Sequence, residues 1–177
     1  MKKIYMTDKQ HKQHVQEILR QMARDKWVPD YVVGITRGGL IAANMISQYL
    51  TVPMYSLDVS LRNRTELGPE SNLWMAEDAF GYVDGKSKKK KRKKILIVDD
   101  INDTGATIDW IQADWRSGCL PDDRSWKDIF GGNVKTAFVV DNISSNFDGV
   151  NYYGYEINKA EEDVWVVFPW EDWWKHE

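Results

Sequence analysis

The sequence predicts an α/β protein of three layers, with a mainly parallel central sheet flanked by helices. Two observations carry this. Ile95-Leu96-Ile97-Val98 is a short, continuously apolar run rich in β-branched residues, which reads as a strand buried on both faces. A strand, small-residue turn and helix pattern also occurs twice, at 31–50 and at 95–115, which is the βα rhythm of a parallel sheet. In such sheets ligands sit just beyond the carboxyl ends of the strands. Both turns are therefore candidate site loops.

Thr7-Asp8-Lys9-Gln10 is a capping box that opens a helix running to about Arg24, with Val15, Ile18, Leu19 and Met22 on its apolar face. His11, Lys12 and His14 are read as a solvated face rather than as part of a metal site. Pro29-Asp30 breaks the chain, and Tyr31 to Thr36 forms the first buried strand. It runs into Thr36-Arg37-Gly38-Gly39-Leu40 and a helix from Ile41 to Leu50. Small residues at a helix N-terminus make an anion cradle, and Arg37 adds a guanidinium suited to a bidentate phosphate contact. Val52 to Ser60 is the next strand, with Pro53 near its start where a missing N–H is tolerated.

The interval from Leu61 to Lys94 is long for a connection inside a compact domain, and such intervals are usually lids or mobile segments. Its end, Lys86 to Lys94, holds eight basic residues in nine. A nucleic-acid contact is one reading of that run. A solvated arm leading into the next strand is the reading we favour, because the chain as a whole carries a net charge of −3.

The strand at Ile95 delivers two adjacent carboxylates, Asp99 and Asp100, to its carboxyl end. Burying both unpaired would cost several kcal/mol each, so they must meet water, a cation or hydroxyl donors. Carboxylates only accept hydrogen bonds, which suits a vicinal diol or Mg²⁺. The following loop, Asp103-Thr104-Gly105-Ala106-Thr107, is of the opposite kind. Its small residues let backbone N–H groups, two hydroxyls and a helix N-terminus converge on one anion. A diol site beside a monophosphate site describes a ribose 5-phosphate.

Ile108, Ile111 and Trp115 mark the helix that follows. Residues 118–132 are irregular, with a short helix around Trp126 to Phe130. Lys135 to Val140 is a further buried strand, 141–149 a polar loop at its carboxyl end, and Tyr152 to Ile157 another strand. The length of 177 residues, 42% hydrophobic and 29% charged, suits one soluble domain with one substantial core. Cys119 is the only cysteine, so no intrachain disulfide forms. No apolar run approaches the roughly 20 residues that span a bilayer, and the N-terminus lacks a signal-peptide core. These features describe a cytoplasmic protein without a membrane partner.

The stretch V-D-D-I-N-D-T-G-A-T, Val98 to Thr107, resembles the phosphoribosyl pyrophosphate (PRPP) signature of type I phosphoribosyltransferases. It departs from that pattern at Asn102, where the family usually has an apolar residue. The resemblance implies the type I phosphoribosyltransferase fold over 1–177, with a flexible hood at about 61–94 and a base-binding tail at about 153–177. It implies that Asp99 and Asp100 hold the ribose hydroxyls, directly or through Mg²⁺, and that Asp103, Thr104, Gly105, Ala106 and Thr107 hold the 5-phosphate. Thr36, Arg37, Gly38 and Gly39 would bind pyrophosphate, with a non-proline cis peptide at Thr36-Arg37. Asp103 would be the general acid/base near the purine N7, or alternatively the N-cap of its helix.

The tail Trp165-Val166-Val167-Phe168-Pro169-Trp170-Glu171 is similar to that of bacterial xanthine–guanine phosphoribosyltransferases. By that likeness Trp165 stacks on the purine, the Val166 backbone meets the base edge, and Glu171 joins Asp99 and Asp100 around the metal. Purine 6-oxo members also carry a lysine in the loop after the strand equivalent to Lys135–Val140. Here that loop reads Asp141-Asn142-Ile143-Ser144, so Asn142 is the candidate for the base edge and the accepted base stays open. The resemblance thus implies a Mg²⁺-dependent purine phosphoribosyltransferase in a homo-oligomer, dimer or tetramer. Two other readings stand beside it: a regulatory relative binding PRPP or a nucleotide and nucleic acid, and a transferase for a pyrimidine.

Overall fold

The computed structural model describes residues 1–59, 73–83 and 90–175. Its centre is a five-stranded, all-parallel sheet. The strands are β2 (Tyr31–Ile35), β3 (Met54–Leu57), β6 (Ile95–Asn102), β7 (Val134–Asn142) and β8 (Tyr152–Ile157), in the order β3-β2-β6-β7-β8. Side chains alternate across this sheet with period two and so feed two cores. Val32, Leu96, Val98 and Ala137 pack with α1 (Asp8–Asp25) and α2 (Gly39–Leu50). Val33, Ile95, Ile97 and Phe138 pack on the other face with α3 (Leu73–Phe80), α4 (Ala106–Gly118) and the single turn α5 (Trp126–Ile129). The three-layer α/β fold read from the sequence is present.

Two short pairs complete the description. β1 (Lys2–Tyr5) runs parallel to β9 (Val164–Val167), which docks the tail beside the first helix. β4 (Tyr82–Val83) is antiparallel to β5 (Lys90–Lys91). Strands β6 and β7 run further than expected, carrying Asp99 to Asn102 and Asp141 to Asn142 within the sheet itself.

Within the expected hood at 61–94, the described residues from 73 onward belong to the body of the fold. Helix α3 is core: Met75, Ala76 and Ala79 are buried, and the Tyr31 hydroxyl donates to Asp78 at 2.9 Å. Arg92 Nε donates to the Phe80 carbonyl at 3.1 Å, and Lys93 pairs with Asp78 at 3.5 Å. The described end of the basic run is thus tied into the fold as an arm leading to β6. Residues 60–72 and 84–89, the rest of the expected hood and arm, lie outside the described residues.

His11 also departs from the expected solvated face. It is only 4% exposed and meets Trp170 edge-on, with ring centroids 5.0 Å apart, and its buried Nε2 has no partner. Burial, and secondarily the charge of His14, pull its pKa down to about 4, against an opposing pull from Asp8. His14, stacked on Tyr155 at 5.4 Å, is lowered as well, chiefly by burial. A depressed histidine means the unfolded chain takes the proton first, so stability present above about pH 6.5 is lost as pH falls toward 4. We expect the melting temperature to drop over that window, and His11→Phe to flatten the drop. An unchanged pH profile in that variant would contradict the assignment.

Candidate active site

Three loops meet at the carboxyl edge of β2, β6 and β7. The first, 36–39, leaves β2 through a cis peptide at Thr36-Arg37, as the resemblance implied. Thr36 Oγ1 donates to Asp58 at 3.0 Å. The loop lies directly on the end of β6: a Cβ at Gly38 would fall 1.9 Å from Asp100 Oδ2, and one at Gly39 2.4 Å from the Val98 carbonyl. Only glycine permits that approach. Arg37 is exposed and lines a 900 Å³ cavity shared with Gly38, Asp100, Trp165 and Glu171.

The second loop follows the acidic pair. Asp99 Oδ1 accepts the Asp100 N–H at 2.9 Å, and Asp100 Oδ1 accepts that of Ile101 at 2.8 Å. Burial pushes both carboxyls up, and for Asp99 the neighbouring Asp100 charge adds to it. Glu171 raises Asp100 as well, placing those two acids on one space. Residues Asp99 to Ile108 and Phe138 line a second cavity of 360 Å³, so Asp100 belongs to both. Thr104, Gly105, Ala106 and Thr107 form its polar wall at the start of α4. Gly105, at φ +88°, is the N-cap. Asp103 is therefore not the cap considered for it from the sequence. Its carboxylate instead meets Lys159 Nζ at 2.8 Å.

Lys159 is the residue that sequence reading missed. It lies in the turn between β8 and β9, outside any motif. Its ammonium stands against Asp103 and 5.7 Å from the Trp165 ring, while its backbone N–H donates to Asn142 Oδ1 at 3.0 Å. Asn142, the expected base contact, is buried and committed to protein. Its Nδ2 donates to the Asp103 carbonyl at 2.8 Å, and its Oδ1 also accepts from Ser144 Oγ at 2.8 Å. It joins the two turns that carry Asp103 and Lys159 rather than facing a ligand.

The tail supplies the third side. Trp165 is 43% exposed, with its ring beside Lys159. In a parallel pair alternate residues turn both backbone groups to the partner strand. Lys2 N–H bonds to Asp163 O and Met6 N–H to Val167 O, so the Val166 amide and carbonyl face away from β1. Glu171 accepts the Phe168 N–H at 2.8 Å and fixes the turn under Trp170. Among the described residues no three His, Cys, Asp or Glu side chains gather closely enough to hold a metal. Asp99, Asp100 and Glu171 are thus not a closed cage. The buried Asp99 and half-buried Asp100, both acceptor-only carboxylates, fit a hard cation that keeps waters and brings substrate oxygens of its own.

A family model described as phosphoribosyl transferase domain matches residues 3–112. Xanthine phosphoribosyltransferase 1 of Saccharomyces cerevisiae is 24% identical over 164 residues, covering 81% of this chain and 77% of its own. Xanthine-guanine phosphoribosyltransferase of Cereibacter sphaeroides is 28% identical over 141 residues, covering 79% and 68%. In fold, the chain resembles the purine phosphoribosyltransferase from Pyrococcus horikoshii, with a TM-score of 0.65 at 24% identity over 97% of this chain and 96% of that one.

Proposed function

The chain belongs to the phosphoribosyl transferase domain family, and from that premise we propose that it transfers the 5-phosphoribosyl group of PRPP to a purine. The products are a nucleoside 5-monophosphate and pyrophosphate. The observation that carries the purine assignment is the meeting of the Trp165 ring, the Lys159 ammonium and the Asp103 carboxylate beside the Thr104–Thr107 loop. An indole face suits purine stacking by area and quadrupole.

In this reading Thr104 to Thr107 and the α4 N-terminus anchor the 5-phosphate. Asp99 and Asp100 fix the ribose hydroxyls. Holding the sugar in this way is positioning, which converts a bimolecular encounter into an oriented one. Breaking of the bond from the anomeric carbon to pyrophosphate leads, and the base forms the new bond there as pyrophosphate departs with the electron pair. Arg37 and the Gly38 and Gly39 amides stabilise that departing charge. Asp99, Asp100 and Glu171 would hold Mg²⁺, which supplies charge neutralisation for pyrophosphate when bound. Asp103 exchanges a proton with the base at N7, and the free Val166 backbone groups read the base edge. The tail from about residue 153 contributes the base platform, with Trp165 on it.

Lys159 narrows the base. An ammonium has three donors and no acceptor, so it suits an oxo group and disfavours an amino group. We therefore expect hypoxanthine, guanine or xanthine to be preferred over adenine, and the larger purine stacking area on Trp165 to favour them over uracil. The test is pyrophosphate release from PRPP and Mg²⁺ with each of the five bases. Lys159→Met should lower kcat/KM for the preferred base by about 10- to 100-fold and narrow its lead over adenine. A preference for adenine or uracil in the wild type would reject the assignment.

A further inference from the structure

We propose that Asn102, with Asp141 and Ser145, is a positioning device that sets the shape of the 5-phosphate loop without binding the ligand itself. Asn102 is 2% exposed at the end of β6. Both amide hydrogens are used: Nδ2 donates to Asp141 Oδ1 at 2.9 Å and to the Phe147 carbonyl at 3.1 Å. Its Oδ1 accepts from Ser145 Oγ at 2.9 Å. Ser145 Oγ in turn accepts the Phe147 N–H at 3.1 Å. The network is closed, and a buried polar network in that condition specifies one arrangement of its parts.

What it arranges is the wall behind the loop. The Asn146 N–H donates to the Thr104 carbonyl at 3.1 Å. A Cβ at Gly105 would lie 2.6 Å from Phe147 N and 3.0 Å from Ser145 Oγ, so residues 145–147 press directly on the φ +88° turn that opens α4. Among the described residues, Asn102 is the one side chain of β6 that hydrogen-bonds to Asp141, Ser145 and Phe147 at once. Burial pushes the Asp141 carboxyl up and the Asn102 donor partly offsets this, so the asparagine favours the charged form of its neighbour. An apolar residue at 102 would leave Asp141, Ser145 and the Phe147 carbonyl without this partner, and the wall would be free to move from Gly105.

The inference rests on Thr104–Thr107 being the 5-phosphate anchor, and the experiment separates the two. Ribose 5-phosphate binding is measured by calorimetry on the wild type, Asn102→Leu and Ser145→Ala, together with melting temperature and steady-state kinetics. The wild type should bind ribose 5-phosphate. Both variants should melt cooperatively and show about tenfold weaker ribose 5-phosphate binding and a similarly raised KM for PRPP. Their KM for the base and kcat at saturating PRPP should stay within about threefold of wild type. Unchanged affinity in folded variants overturns the positioning role alone. A loss falling equally on kcat and the base, or failure of both variants to fold, also overturns it. A wild type that does not bind ribose 5-phosphate overturns the anchor reading as well.

Discussion

Asp103→Asn is expected to lower kcat by about 10²- to 10⁴-fold while leaving the KM for PRPP within about threefold. The substitution preserves shape and can still accept from Lys159 through its carbonyl oxygen. It removes the carboxylate charge that pairs with Lys159, and with it the capacity to take and return a proton. Because Gly105 and not Asp103 caps α4, the change should not loosen the phosphate loop. The Asp103 carbonyl, which anchors Asn142, is a backbone group and is untouched. Turnover and PRPP affinity are therefore separable at this residue, which they would not be if Asp103 were a structural cap. Measured kcat near the wild-type value would remove Asp103 from the chemistry. A rise in PRPP KM matching the fall in kcat/KM would assign it to phosphate binding instead.

The proposed PRPP half of the site reads directly from the sequence because it is local. Strand, acidic pair, small-residue loop and helix start are contiguous from Ile95 to Ile108, so residue type and spacing alone report the geometry. The base half is assembled by topology. Lys159 reaches Asp103 only because β8 lies parallel beside β7, with Ile157 opposite Asn142, and no local pattern announces that neighbour. Asn142 was misjudged for the same reason, its partners being 17 and 39 positions away. His11 is a different case. It continues the spacing of Val15, Ile18 and Met22 back by one turn, so the helical period pointed inward and the polar side chain pointed the reading outward. In α3 the eight-residue stretch was hidden within a long interval, broken by Gly68 and Pro69 before it and by Gly81 and Gly85 after it.

Asp99→Asn should abolish most turnover and at the same time raise the melting temperature of the ligand-free protein. Asp99 is 9% exposed and lies under the Gly39 backbone, against the half-buried carboxylate of Asp100. Desolvation, and then repulsion from Asp100, make its charged form costly in the empty site, which is why its carboxyl is held well above the ordinary range. An asparagine fills the same space without charge, and its amide can donate to Asp100, turning repulsion into a hydrogen bond. Relieving about 1–2 kcal/mol in a chain of this size corresponds to roughly 2–8 °C at the midpoint. The loss of one preorganised charge at the ribose should cost about 10²-fold or more in kcat/KM. The wild type should then gain more thermal stability than the variant when PRPP and Mg²⁺ are added, because only the wild type has a strained pair for them to relieve. A variant that melts below the wild type without ligand, or that keeps wild-type turnover, would show that the pair is structural and that the ribose is held elsewhere.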